Sequence, residues 1–148
     1  GYGYGGYGYG DSYGDYGDGG DDSYGGYGYV DINAIVNTWS ENQRRKWRDA
    51  CDSAAAVAFW CSDRDGFPSN GGSHSEPASP GQVVESDGPL RVCHEGTLHA
   101  TMSPGKWHGE RLWVVALYGD LDYGEYKIGA QKREIIGEVP PHLIEFFE

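Results

Sequence analysis

The chain has 148 residues, with 23 acidic against 11 basic side chains and a formal net charge of −12. A surface this acidic is repelled by nucleic acid and by anionic bilayers, so neither is expected as a partner. No apolar run approaches the length of a membrane-spanning helix, and three cysteines (Cys51, Cys61, Cys93) are too few, and odd in number, for a disulfide framework.

Residues 1–29 contain nine of the twelve tyrosines together with 13 glycines, five aspartates and two serines, and nothing else. Such a segment has no aliphatic side chain to bury, and its glycines lose much backbone entropy on ordering. Tyr2 and Tyr4 alternate with glycine, as do Tyr7 and Tyr9 and, later, Tyr27 and Tyr29. Period-two alternation places tyrosines on one face of an extended chain and glycines on the other. The glycine face permits close backbone approach, and the tyrosine face offers ring stacking and hydroxyl hydrogen bonds. The aspartate-rich middle breaks the alternation and opposes unlimited stacking. Two tyrosine-bearing extended stretches around an acidic spacer are therefore expected. Tyr2, Tyr4, Tyr7, Tyr9, Tyr24, Tyr27 and Tyr29 are the candidate self-association residues. A flexible low-complexity linker is the competing reading of the same residues.

Residues 30–148 read as a single domain. Ile32, Ile35 and Val36 suggest a short helical lead-in. Thr38 and Ser40 open two overlapping capping boxes, with Glu41 and Gln43. A long helix over about 41–63 is predicted from the apolar positions Trp47, Cys51, Ala54, Ala55, Val57, Ala58, Phe59, Trp60 and Cys61, among which spacings of three and four dominate. The basic run of residues 44–48 reads as its solvated face. Residues 66–82 form a long loop without periodicity. Short strands are expected at 83–84 and 90–93, a helical turn at 103–107, and a central strand buried on both faces at 112–118. A further strand is expected at 132–139, and an apolar tail at 143–147. The residues of Gly119–Gly124 read as a plain turn rather than a calcium loop. Arg111, Lys132 and Arg133 are expected at the surface, and the tryptophans in the core. The resulting fold class is α+β, one long helix packed on a small, mostly antiparallel sheet, preceded by the extended Gly/Tyr-rich arm.

Cys93, His94, His99 and His108 form the densest set of potential metal ligands. Their spacing lacks the short cysteine pairs usual in zinc sites, and a small buried thiol is the plainer reading of Cys93. A Cys93/His99 nucleophile pair oriented by Glu95 or Glu110 is the catalytic alternative.

The run Gly88-Pro89-Leu90…Cys93…Gly96-Thr97-Leu98-His99-Ala100-Thr101, then Trp107…Gly109-Glu110-Arg111-Leu112-Trp113-Val114-Val115-Ala116-Leu117-Tyr118-Gly119, and Lys127…Ala130…Lys132-Arg133-Glu134-Ile135-Ile136, resembles an uncharacterised domain of phage and bacterial proteins. Members often carry Gly/Tyr-rich stretches. The resemblance covers residues 82–139 and implies a phage or bacterial origin but no activity.

The leading expectation is thus a structural, non-enzymatic protein that needs no cofactor and associates with its own copies through the arm. A monomeric accessory domain with a linker arm, and a small enzyme or metal module around Cys93 and His99, are the alternatives. Phage particle, bacterial cytoplasm and extracellular assembly are all compatible with the chain.

Overall fold

A computed structural model of the chain describes residues 32–69, 74–104 and 109–144. The tyrosine-rich arm, Trp107, His108 and most of the C-terminal apolar tail lie outside the described residues.

The lead-in helix α1 (Ile32–Val36) buries Ile35 and Val36. Thr38 does not cap the next helix, because its hydroxyl donates to the Ile35 carbonyl at 2.6 Å. Ser40 does so instead. Its Oγ accepts from the Gln43 N–H and the Gln43 side chain accepts from the Ser40 N–H, which closes a complete capping box at the start of α2 (Glu41–Ser53). Glu41 pairs with Arg44 and Arg48 along the exposed face, and this lowers the Glu41 carboxyl below its ordinary value. Lys46 reaches Glu134 on the sheet at 3.0 Å.

The expected long helix stops at Ser53. Ala54 is already extended, with ψ 156°, and the Ala55 N–H donates to the Leu117 carbonyl. Residues Ala56–Ser62 are strand β1, paired antiparallel to β4 (Arg111–Tyr118) over seven positions from Ala56↔Leu117 to Ser62↔Arg111. The intrinsic helix preference of the alanines is worth only tenths of a kcal/mol per residue. Pairing with a fully buried strand outweighs it. Ala58, Trp60 and Ser62, spaced by two, are buried against the core.

The fold is therefore mostly sheet, and the long-helix α+β assignment is corrected. One antiparallel sheet has the order β1-β4-β7-β2, where β2 is Val83–Glu85 and β7 is Lys132–Glu138. A second, antiparallel and three-stranded, has the order β3-β6-β5, from Leu98–Ala100, Ile128–Ala130 and Asp122–Tyr123. The strand expected at 90–93 does not form, since residues 92–93 make a turn, and β3 lies further along where no strand was expected. The last helix, α3 (Pro141–Ile144), is one turn long. Strand β4 is the predicted central strand, buried along its length and flanked on both sides.

Trp60, Trp113, Val115, Leu117 and Ile135 of the larger sheet cluster with Ala100, Ile128 and Ala130 of the smaller one. This shared apolar layer joins the two sheets. The Trp113 indole N–H donates to Ser62 Oγ at 2.9 Å, so the one polar atom of that ring is satisfied inside the core.

A β-bulge in β7 shifts the register between Val114↔Gly137 and Val115↔Ile135. It presents Gly137 to the indole of Trp39, whose Nε1 donates to the Glu138 carbonyl at 2.8 Å. A Cβ on Gly137 would lie 2.4 Å from Trp39 Cε2. The buried ring has little room to retreat. Gly137→Ala is expected to destabilise the protein by about 1–3 kcal/mol, read as a lower urea midpoint with an unchanged slope.

Candidate functional site: a buried arginine between two histidines

Along β7 the side chains alternate. Lys132 is exposed, Glu134 faces Lys46 and Tyr118, and Arg133 shares the inward parity of Ile135. Arg133 pairs through its backbone with Leu117 on one side and Val84 on the other, and it is 2% exposed. The expectation that it lies at the surface is corrected. A period-two reading from Ile135 backwards would have found it.

The guanidinium lies over the Trp60 ring, 4.5 Å from its centroid. Nη1 donates to the His99 carbonyl at 2.6 Å, and Nη2 meets His74 Nε2 at 2.6 Å. The His74 ring stacks on the other partner of the cation, Trp60, at 5.1 Å and 17°. Because a guanidinium has no lone pair to offer, His74 Nε2 must accept and Nδ1 must carry the ring proton. No carboxylate pairs with Arg133 among the described residues. Burial draws its pKa down to about 9, so it stays charged at neutral pH. Burial, with the Arg133 charge adding to it, pushes His74 down to about 4 and keeps it neutral. His99 is likewise lowered, first by burial and then by Lys127 and Arg133.

Three buried polar atoms have no partner among the described residues: Arg133 Nε, His74 Nδ1 and Gln82 Oε1. An isolated buried charge is penalised by several kcal/mol, offset here by the carbonyl, the imidazole and the indole face.

The structure does bring Cys93 and His99 together, but through the backbone. The Cys93 N–H donates to His99 Nε2 at 2.8 Å, which occupies the ring lone pair a thiol proton would need. Cys93 is exposed and holds a left-handed φ of 67°. Neighbouring amides are held similarly: Val92 N–H by Asp122 Oδ2 and Arg91 N–H by Thr97 Oγ1. His94 turns inward on its own loop, accepting from the Gly96 N–H at 3.2 Å. Glu110 is engaged by Arg64 on an exposed edge, and Glu95 is exposed. Among the described residues no group of three or more His, Cys, Asp or Glu side chains could hold a metal ion. His108 lies outside them. All three cysteines are free, and burial pushes the Cys61 thiol up to about 11.

The depressed pKa of His74 has a definite consequence for stability. Between its unfolded value of 6.5 and about 4, the unfolded chain binds the proton and the folded chain does not. Stability is therefore complete above pH 6.5 and falls as pH is lowered toward 4. Urea midpoints followed by tryptophan fluorescence should decline across that window, and His74→Phe should show a shallower decline from a lower starting stability.

In comparisons with models of protein families, with curated proteins and with solved structures, no match to this chain was found.

Proposed function

We propose that the protein is a structural building block that associates with other copies of itself through residues 1–29, with the domain of residues 30–148 locking or decorating the assembly. The observation that carries this reading is the Gly/Tyr alternation of the arm, set beside a compact unit over Ile32–Ile144. Such a strand gains little alone but can add to an edge or stack on its own copies.

The edges of the domain support the same division of labour. Open strand edges invite pairing between copies unless they are short or covered. Strand β2 has three residues and β5 has two. The free side of β1 is met by Thr101, which exchanges both backbone hydrogen bonds with Phe59. A domain with edges this blunt does not polymerise through its sheets, so contact between copies falls to the arm. Tyr123, 65% exposed on β5, and Tyr126, 44% exposed, are aromatics that the domain itself offers to such a contact.

The whole chain and a variant lacking residues 2–29 should be compared by light scattering and electron microscopy. Large particles or fibres are expected for the whole chain and a monomer for the deletion. Replacing Tyr2, Tyr4, Tyr7, Tyr9, Tyr24, Tyr27 and Tyr29 together by serine should give the deletion phenotype while leaving the urea midpoint of the domain unchanged. Identical assembly with and without the arm overturns the proposal. A monomeric whole chain with sharp arm resonances favours the accessory domain with a linker arm instead.

A further inference from the structure

Resting on the proposed assembly through the arm, we infer that a groove beside the start of α2 is the docking site for the Tyr7-Gly8-Tyr9 unit of another copy's arm, with the aspartates that follow it held by the basic run of α2. The groove has a volume of about 430 Å³, within the usual range of ligand sites. Its apolar walls come from three segments. Pro80 belongs to the loop before β2, Pro140 and Pro141 follow β7, and Trp39 joins α1 to α2. Pro80 and Pro141 are exposed, so an incoming side chain can reach them.

The polar side of the groove is the Arg111–Glu138 pair. Arg111 Nε and Nη2 donate to the two Glu138 carboxylate oxygens at 2.8 and 2.9 Å, and the guanidinium lies 4.6 Å from the Trp113 ring centroid. Each carboxylate oxygen has a second lone pair, so Glu138 can still accept from a hydroxyl. Prolines and a tryptophan facing a half-buried carboxylate call for a flat apolar ring with an O–H at its tip, which describes tyrosine. Proline-rich ligands make the same proline–aromatic contact in aromatic grooves, here with the roles reversed.

The arm is where this chain keeps such rings. In an extended Tyr-Gly-Tyr unit the two rings share one face about 7 Å apart, and the groove has room for both. The glycine between them has no Cβ to hold the backbone off the wall. Charge selects among the units. Residues 1–29 carry five aspartates and no Lys or Arg, whereas residues 44–48 hold four of the chain's 11 basic side chains. That basic run abuts the groove, since Gln43 lines it and Arg44 Nη1 donates to the Trp39 carbonyl at 2.6 Å. Arg45 is exposed and bonds the Asn42 side-chain oxygen, with no carboxylate partner among the described residues. Asp11 and Asp15 come directly after Tyr7-Gly8-Tyr9, so the first carboxylate follows the second ring by about 7 Å of extended chain. Tyr2-Gly3-Tyr4 is further from the aspartates, and Tyr27-Gly28-Tyr29 comes after them.

The test uses the whole chain. Copies with the photoreactive residue p-benzoylphenylalanine in place of Tyr9 are mixed with heavy-nitrogen copies and irradiated, and the joined peptides are read by mass spectrometry. Crosslinks are expected from the arm of one copy to the residues around Pro80 and Pro140-Pro141 of another. Arg45→Glu should lower their yield about two- to fivefold at low salt, the scale of an exposed ion pair, and Pro80→Glu should lower it at least as much. Both should leave the urea midpoint unchanged; should Pro80→Glu shift it, Arg45→Glu decides. Crosslinks only between arms, or to another face of the domain, overturn the inference while assembly through the arm still stands. Crosslinks confined to single copies overturn it as well, as does a yield that Arg45→Glu leaves unchanged. A whole chain that stays monomeric by light scattering overturns the assembly reading and this inference with it.

Discussion

The burial of β4 on both faces and along both edges is the constraint on which the described unit depends. Its apolar run has no place at a surface, so it must be flanked by strands and covered above and below. Each neighbouring element answers one of those demands. β1 and β7 close the two edges. The smaller sheet supplies Ala100, Ile128 and Ala130 to one face, while α2 approaches the other and is tied to the sheet through Lys46 and Glu134. The demand from β4 also explains why residues 56–62 give up a helix that their alanines favour. A seven-position antiparallel ladder, with Trp60 and Trp113 side by side in the core, is worth far more than local propensity.

The same packing creates the chemical anomaly of the molecule. Strand β7 must alternate across the sheet, and in that alternation Arg133 falls on the apolar side. A guanidinium there keeps its charge and cannot leave, so the surroundings adapt to it. Trp60 gives it a ring face, His99 a carbonyl, and His74 is held as a neutral base. The left-handed Cys93 belongs to the same neighbourhood, since its amide fixes the ring of His99 whose carbonyl meets Arg133. Polar groups that could have formed a thiol–imidazole pair are spent on organising the loop before β3.

The division between arm and domain follows from composition. Residues 1–29 contain no aliphatic side chain, whereas the unit over Ile32–Ile144 buries Trp60, Trp113, Val115, Leu117, Ile128 and Ile135 in one apolar layer. The short edge strands β2 and β5 of such a unit offer little for pairing between copies. The arm is rich in tyrosine and glycine instead, and assembly through it is proposed on that contrast in composition.

Several elements were legible from the sequence because their signals are local. The Ser40–Gln43 capping box, the buried run of β4, the strand ending before Pro140-Pro141 and the loop after Ser62 each announce themselves within a few residues. The break between α2 and β1 was not legible, because Ala54, Ala55, Ala58 and Cys61 satisfy a helical spacing as well as a strand. Only pairing with a strand some fifty positions away chooses between them. The short strands β5 and β6 carry too few residues to show a period at all. The site was partly visible: His99 and Cys93 stood out as chemistry-bearing residues, but their contact through a backbone amide depends on a left-handed turn. The burial of Arg133 was implicit in its parity with Ile135. Its meeting with His74 and Trp60 was decided by tertiary structure alone, since three segments far apart in the chain had to converge before a cation could be held there.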